Sequence, residues 1–293
     1  MPASTSLIRR LQRQDTLNFW LTNRIPRRLL TTWVGRFSRI RSPTLTRLSI
    51  RAWQAFADDL RLHEAETQCF DSLRDCFIRT LAPGTRPIDG GPDRLVSPCD
   101  AVIGAHGPIV DGHLIQAKDM VYRLEDLVRD PDRAALHAGG TFVTLRLKSS
   151  MYHRFHAPCA GRVGPIRYIS GEVYNVNPPT LRRIPGLFCL NERAVVPVEP
   201  AAGELGGPLT LVPVAAVLVA SMRFSILDEA LDPRTAPGGR IECGLDVARG
   251  RELGWFEHGS TIVLLARAGL RLADGLVEGD IVRMGRPLLV VDG

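Results

Sequence analysis

The sequence predicts an α+β protein in which an α-helical N-terminal arm precedes a mainly antiparallel, β-rich body. Apolar residues near the N-terminus recur at intervals of three and four, which is helical spacing. After a break rich in proline and glycine, the pattern changes to short apolar runs separated by turn signals such as Asp-Gly. With 45% hydrophobic and 23% charged residues, the chain of 293 residues has a globular composition, which excludes disordered and collagen-like classes.

The arm, residues 1–82, combines basic and apolar side chains at helical spacing. Residues 1–61 contain twelve arginines and three aspartates, which gives a formal net charge of +9. The arginines lie opposite an apolar stripe that consists of Ile25, Leu29, Leu30, Trp33, Val34 and Phe37. A basic face opposite a face of tryptophan, phenylalanine and leucine is typical of a helix at a membrane surface. The same pattern also suits a pair of helices that pack on the protein's own core with their arginines in water.

The charge of the arm predicts an anionic partner, either nucleic acid or a membrane. Three of the four tryptophans, Trp20, Trp33 and Trp53, lie in the arm, and this favours a membrane over nucleic acid. The longest nearly apolar run, residues 211–222, contains a proline and is too short to cross a bilayer about 30 Å thick. We therefore expect peripheral membrane association, with neither a membrane span nor a secretory signal, and no nucleic-acid partner.

A break at about residues 82–93 separates the arm from the body, and residues 63–80 before it retain a helical pattern. Residues 141–148 alternate between apolar and polar side chains, which predicts a strand with one apolar face. Residues 212–220 and 261–265 are apolar and β-branched, which predicts buried strands. The turn signals that follow predict a β-meander at the C-terminus.

Three short segments contain the reactive side chains. Asp100 ends a Ser-Pro-Cys-Asp segment, His153 and His156 belong to Tyr-His-Arg-Phe-His, and Ser260 lies in Gly-Ser-Thr. A serine hydroxyl is a weak nucleophile unless a base such as histidine takes its proton, and a carboxylate can orient that histidine. Gly259 allows close approach of the backbone next to the serine. Each segment alone is also compatible with an ordinary turn.

Metal binding is not predicted. His153 and His156 have no obvious third ligand, and the six cysteines show no Cys-x-x-Cys pair or zinc-type spacing. Free thiols in a reducing compartment are the expectation for these cysteines.

Six segments in one order resemble the phosphatidylserine decarboxylase proenzymes, in their longer bacterial membrane-associated form. The resemblance spans about residues 90–293, and its most specific parts are Tyr-His-Arg-x-His and Gly-Ser-Thr. The six segments are residues 97–100, 114–118, 138–142, 152–156, 191–193 and 259–261.

The resemblance implies that the chain cleaves itself between Gly259 and Ser260. Ser260 would attack the Gly259 carbonyl, with His156 as base and Asp100 as the group that orients His156. The ester would then eliminate to dehydroalanine, and hydrolysis would leave an N-terminal pyruvoyl group, the covalent cofactor, in place of Ser260. The products would be a β chain (1–259) and an α chain (260–293), which stay together as a heterodimer. Two such heterodimers could form a dimer. Residues 83–293 would form the decarboxylase domain.

The resemblance also implies the reaction. Phosphatidylserine in an anionic membrane would form a Schiff base with the pyruvoyl group, lose CO₂ and become phosphatidylethanolamine. His153 would supply the proton or hold the substrate carboxylate, and His156 is the second choice for the proton. The arm would hold the enzyme on the cytoplasmic face of the cell membrane as a peripheral protein.

The chain departs from the family pattern at two places. Cys99 and Ala101 flank Asp100 where the family usually has alanine and glycine, and His258 stands where it usually has leucine. Two alternatives remain: a lipid or ester hydrolase built on Asp100, His156 and Ser260, or a non-catalytic membrane-binding module. The absence of a Gly-x-Ser-x-Gly elbow counts against the hydrolase.

Overall fold

A computed structural model describes residues 27–57, 60–117, 120–216, 222–227, 235–236, 239–257 and 260–292. Helices and strands are numbered below within these ranges. Residues 1–26 lie outside them, so the predictions for the start of the arm, Trp20 included, remain predictions. Gly259 and His258 also lie outside the described residues.

Two helices come first in the described part of the arm. They are α1 (Arg27–Ser38) and α2 (Pro43–Phe56). Ser42 caps α2, because its side chain accepts from the Leu45 backbone N–H, and Pro43 takes the first turn, where a missing N–H costs nothing. Trp33 is 68% exposed, and Phe37 and Leu48 are exposed as well, so part of the predicted apolar stripe does not pack on the body.

The helical pattern of residues 63–80 produces only short elements. A 3₁₀ turn covers Leu62–Glu64 and helix α3 covers Leu73–Phe77. Between them, the Thr67 hydroxyl bonds the backbone of Cys69, as donor to its carbonyl and as acceptor from its N–H, both at 3.2 Å. Such local side-chain bonds compete with helical hydrogen bonds, which explains why the helical pattern of this segment is only partly realised.

The described part of the body contains four short helices and many strands. The helices are α4 (Leu124–Val128), α5 (Pro131–Leu136), α6 (Pro178–Leu181) and α7 (Leu187–Leu190). The strands are β1 (Arg94–Val96), β2 (Ala101–Pro108), β3 (His113–Ala117), β4 (Met120–Arg123), β5 (Thr141–Leu147), β6 (Arg154–His156), β7 (Gly161–Val163), β8 (Ile166–Ile169), β9 (Arg193–Pro200), β10 (Leu209–Ala215), β11 (Met222–Arg223), β12 (Arg240–Ile241), β13 (Leu245–Val247), β14 (Glu252–Phe256), β15 (Ser260–Ala266), β16 (Leu270–Leu272), β17 (Ile281–Val282) and β18 (Pro287–Val291).

The main sheet follows the order β12-β8-β9-β10-β15-β5-β2-β17, and β13 and β7 pair beside β9. Smaller sheets have the orders β1-β18-β16, β11-β14-β6 and β3-β4. The strand pairs within these sheets are antiparallel. The predicted α+β class with an antiparallel, β-rich body is therefore confirmed. Among the residues described, no helix has both the length and the apolar composition that crossing a bilayer requires.

Strand β15 lies at the centre of the main sheet and is buried on both faces, as its apolar run predicts. The neighbouring strand β5 is also buried on both faces, with Phe142 and Thr144 as inaccessible as Val143. The expectation of a single buried face for residues 141–148 was therefore too narrow. An alternating pattern cannot reveal that other elements cover the second face, because Thr and Arg stems tolerate burial.

The C-terminal strands do not form the predicted meander. Strands β16 and β18 pair with each other, but β17 pairs with β2 in the main sheet, where Ile281 lies opposite Val102. The turns between the strands were predicted, whereas the partner of β17 lies about 180 residues away in the sequence and leaves no local signal.

The register of the main sheet brings two of the three predicted reactive segments, those with Asp100 and Ser260, to one end. Ser260, the first residue of β15, lies opposite Leu147 on β5 and Ala215 on β10. On the other side of β5, Arg146 lies opposite Val102 of β2. Because Asp100 immediately precedes β2, it lies about two strand spacings, or roughly 10 Å, across the sheet from Ser260.

Candidate active site

Ser260 is fully buried, and its Oγ has no hydrogen-bond partner among the described residues. Leaving a buried hydroxyl unpaired costs about 1–3 kcal/mol, so such groups are uncommon in folded proteins. The position of Ser260 at the start of a central strand fixes its backbone by pairing on both sides. The backbone of Ser260 is therefore held in place, while its hydroxyl is not tied up in a hydrogen bond to any described residue.

His156 ends strand β6, and both of its ring nitrogens are bonded. Nδ1 lies 2.9 Å from the Gly250 carbonyl oxygen, and Nε2 lies 3.0 Å from the Tyr152 hydroxyl. Since a carbonyl can only accept, Nδ1 carries the proton and Nε2 accepts from Tyr152. Burial lowers the pKa of His156, although the Gly250 carbonyl, Glu252 and Asp100 oppose the shift. His156 is therefore neutral at pH 7, with its lone pair on Nε2.

Two neighbours hold His156 in this tautomer. Gly250 has φ of 77°, a left-handed conformation that favours glycine, and this turn presents its carbonyl to Nδ1. Burial raises the pKa of Tyr152, so its phenol stays protonated and can donate to Nε2. Tyr152 belongs to the Tyr-His-Arg-Phe-His segment, but no role was predicted for it from the sequence.

Asp100 is fully buried and accepts hydrogen bonds from three groups. Arg86 donates to both carboxylate oxygens at 2.9 and 2.6 Å, Arg283 donates at 2.8 Å, and the Met284 backbone N–H donates at 2.9 Å. Arg86 also donates to Glu64 at 2.7 Å. Although burial raises the pKa of Glu64, its bonds to Arg61 and Arg86 lower it to about 2.

Asp100 was predicted to orient His156, but among the described residues His156 donates no hydrogen bond to Asp100. Two guanidinium groups outcompete a neutral imidazole for a buried carboxylate, because charge-assisted bonds are about twice as strong. The two segments are nevertheless adjacent, since the His156 backbone N–H donates to the Pro98 carbonyl at 2.8 Å. Asp100 acts on His156 through space and favours its protonated form. The sequence offered no local signal for the partners Arg86 and Arg283.

His153 is also fully buried. Its Nε2 lies 3.3 Å from the Ser149 carbonyl oxygen, and its ring stacks on Phe77 with centroids 4.0 Å apart. Its own carbonyl accepts from the backbone N–H of Phe256, four residues before Ser260, at 3.0 Å. His153 is thus joined to the segment that leads to Ser260 and to helix α3.

A cavity of about 240 Å³ adjoins this site, with Asp100 and Tyr152 in its wall. Five cationic side chains and two carboxylates line it, which leaves an excess of three positive charges. They are Arg61, Arg79, Arg86, Lys148, Arg283, Glu64 and Asp100. Arg79 is buried and donates to the carbonyls of Leu60, Cys76 and Ser150. The cavity therefore favours an anionic ligand.

No cluster of three or more potential metal-ligating His, Cys, Asp or Glu side chains occurs within the described ranges.

Comparison with known proteins supports the resemblance noted above. The family model for phosphatidylserine decarboxylase matches residues 73–290. The phosphatidylserine decarboxylase proenzyme of Anaeromyxobacter sp. (strain K) is 36% identical over 273 residues, which cover 90% of this chain and 94% of that protein. The proenzyme of Halorhodospira halophila is 38% identical over 277 residues, which cover 92% of this chain and 91% of that protein. That of Shewanella sp. (strain MR-4) is 34% identical and covers 93% of this chain and 96% of its own length.

These matches extend over the strands and loops that contain Asp100, His153, His156 and Ser260. The chain therefore belongs to the phosphatidylserine decarboxylase family and is a decarboxylase, that is, a carboxy-lyase.

Proposed function

We propose that the chain is a self-processing enzyme that converts phosphatidylserine into phosphatidylethanolamine and CO₂, with a pyruvoyl group formed from Ser260 as its cofactor. The observation that carries the proposal is the fully buried Ser260 hydroxyl, which lacks a partner among the described residues. A structural serine at this depth would ordinarily pair its hydroxyl. The curated relatives are called proenzymes, which supports processing of the chain.

The residues at Ser260 fit a pyruvoyl group. Its formation removes the hydroxyl that lacks a partner, and the pairing with Leu147 and Ala215 keeps the new terminus inside the sheet. Once formed, this group supplies a ketone that condenses with the substrate amine and accepts the electrons released as CO₂ leaves.

Self-cleavage begins when the Ser260 Oγ attacks the carbonyl carbon of Gly259. The peptide C–N bond breaks and an ester between Gly259 and the Ser260 Oγ replaces it. A base then removes the Ser260 Cα proton, the Cβ–Oγ bond breaks, and Gly259 leaves as a carboxylate. Water displaces ammonia from the remaining dehydroalanine and leaves the ketone.

His156 is the proposed base for the Ser260 hydroxyl. The role requires a neutral imidazole with an open lone pair near the operating pH, and burial keeps His156 neutral. Tyr152 occupies that lone pair, so its hydroxyl must turn aside or pass the proton on. Asp100 stabilises the imidazolium through space rather than by orienting the ring.

His153 is the proposed proton donor after CO₂ has left, with His156 as the second choice. Because His153 is fully buried, bulk water does not reach the proton that its ring would donate. Through its stack with Phe77, helix α3 holds the ring in one orientation.

The cavity of about 240 Å³ is the proposed site of the substrate headgroup. Pockets for drug-sized ligands occupy about 300–1,000 Å³, so this volume suits a headgroup rather than acyl chains. The excess of three positive charges complements the phosphate and carboxylate of phosphatidylserine. The acyl chains would remain in the bilayer.

The exposed apolar side chains of α1 and α2 support binding to the cytoplasmic face of the cell membrane as a peripheral protein. Trp33, Phe37 and Leu48 are exposed, and exposed Arg36 and Arg47 lie close to them in the sequence. Each basic residue near an anionic surface contributes about 1 kcal/mol of binding free energy.

After cleavage the α chain, residues 260–293, would remain bound to the β chain. Strand β15 pairs with β5 along its whole length and with β10 from Ser260 to Leu265, and its seven residues are buried. Its loss would expose both neighbouring strands in the middle of the main sheet, so a stable heterodimer is expected.

A denaturing gel tests the proposal. The purified chain should separate into two fragments with the small one beginning at position 260, and Ser260→Ala should stay intact and lack decarboxylase activity. Borohydride added with phosphatidylserine should inactivate the small fragment. An intact chain whose Ser260 is labelled by serine-directed hydrolase reagents would instead indicate the hydrolase.

A further inference from the structure

Glu257, the last described residue before Ser260, is buried although it is a carboxylate. Its side chain is 5% exposed. Arg74 donates to Oε1 from Nε at 3.0 Å and from a terminal nitrogen at 2.7 Å, and Arg39 donates to Oε2 at 3.0 Å. The two arginines thus hold different oxygens of the same carboxylate. Charge-assisted bonds of this kind offset the cost of burying the charge.

The two arginines belong to the N-terminal part of the chain. Arg39 follows α1, and Arg74 lies in α3. Helix α3 is in turn joined to α2, because Trp53 stacks on Phe77 with centroids 5.6 Å apart. The Arg39–Glu257–Arg74 cluster therefore connects the N-terminal helices to the segment that leads into β15.

This connection fixes one end of the junction, residues 257–260, which contains the proposed cleavage site. The other end is fixed at Ser260 by strand pairing with Leu147 and Ala215. Attack by a hydroxyl on a carbonyl carbon requires the atoms to approach within about 3–3.5 Å, and a misplacement of about 1 Å can cost a hundredfold in rate. The two described residues that flank the junction, Glu257 and Ser260, are therefore both held in place.

We propose that Arg74 and Arg39 are positioning residues for self-cleavage, which act by fixing Glu257, the last described residue before the cleavage site. The inference rests on the self-cleavage proposed above. Among the described residues, neither arginine bonds the Ser260 hydroxyl. One consequence is that the N-terminal helices must be in place on the body before the chain can be cleaved.

The test measures the rate of self-cleavage of full-length chains made by cell-free translation. Glu257→Gln and Arg74→Gln should lengthen the half-time by about tenfold or more. Arg39→Gln should lengthen it less, about two- to threefold, because Arg39 is 55% exposed and its bond is solvent-screened. Arg162→Gln is the matched control, since Arg162 is equally exposed and pairs with the exposed Asp246 on the far side of the main sheet. Its half-time should equal that of the wild type.

Two further readouts separate positioning from general stability. The double variant Arg74→Gln/Glu257→Gln should be no slower than the slower single variant, because both changes remove one interaction. The same substitutions in a Ser260→Ala chain report folding without cleavage. If the buried variants do not fold, Arg39→Gln decides, and a half-time equal to that of the wild type overturns the inference.

The possible failures are distinguishable. If the wild-type chain does not split, the proposed function is wrong. If the wild type splits and folded Glu257→Gln and Arg74→Gln chains split at the same rate, only the positioning role is wrong.

Discussion

Replacing Arg86 by glutamine should destabilise the uncleaved protein strongly, because it breaks the ion pair at the fully buried Asp100. Arg86 is itself 7% exposed and donates two hydrogen bonds to Asp100 and one to Glu64. Breaking a buried pair by removing one partner costs about 3–5 kcal/mol. The lower end, about 3 kcal/mol, applies here because Arg283 still bonds Asp100.

Thermal unfolding of Ser260→Ala chains measures this effect without interference from cleavage. At roughly 2–4 °C per kcal/mol, Arg86→Gln should lower Tm by about 6–12 °C. Arg162→Gln breaks an exposed pair and should change the free energy of unfolding by less than about 0.5 kcal/mol. The effects of Arg86→Gln and Asp100→Asn should sum to more than the effect of the double variant. If Arg86→Gln lowered Tm by less than about 2 °C, the claim that Arg86 stabilises the buried Asp100 carboxylate would be refuted.

Three other predictions concern pH, substrate and membrane. Burial lowers the pKa of His156, so His156 remains an active base below the ordinary histidine pKa of about 6.5. The rate of self-cleavage should therefore begin to fall only below pH 6.5. A fall in rate centred above pH 7 would contradict the role of His156 as the base. The same shift means that the unfolded chain binds a proton before the folded one, so the stability due to neutral His156 is present above pH 6.5 and is lost as the pH falls toward the folded pKa. Lys148→Gln should raise KM for phosphatidylserine about fivefold with little change in kcat, because it removes one cation from the headgroup cavity. Steady-state kinetics on mixed micelles measure this effect. An unchanged KM would show that the headgroup binds elsewhere. Trp33→Ala combined with Leu48→Ala should weaken sedimentation with anionic vesicles at least tenfold. Because both side chains are exposed, the double variant should keep its Tm within about 2 °C of the wild type. Equal sedimentation of the two proteins would contradict the membrane role of α1 and α2.

The sequence was most informative where a pattern of neighbouring residues is typical of one kind of structure. The continuous apolar run from Thr261 to Leu265 predicted a buried strand, and β15 contains it. The α+β class followed from the change of period after the proline- and glycine-rich break. The order of the six segments was sufficient to indicate the family, because several spaced motifs are far less common by chance than any one.

The sequence was least informative about pairing between distant side chains. Arg283 lies 183 residues from Asp100, and no local pattern connects them. The same holds for Glu257 and Arg74, whose contact depends on how α3 packs on the body. The hydrogen bond from Tyr152 to His156 is local, but choosing it over Asp100 required knowing that two arginines already occupy the carboxylate. Charged partners are common in any sequence of this length, so only the fold selects among them.

The mass of the small fragment from purified, active protein tests the central claim most directly. We expect a fragment covering residues 260–293 that is lighter by one ammonia than the same peptide beginning with serine, because a pyruvoyl group replaces Ser260. An active preparation that contains only the unbroken chain, or a fragment that begins with an unmodified serine, would contradict it.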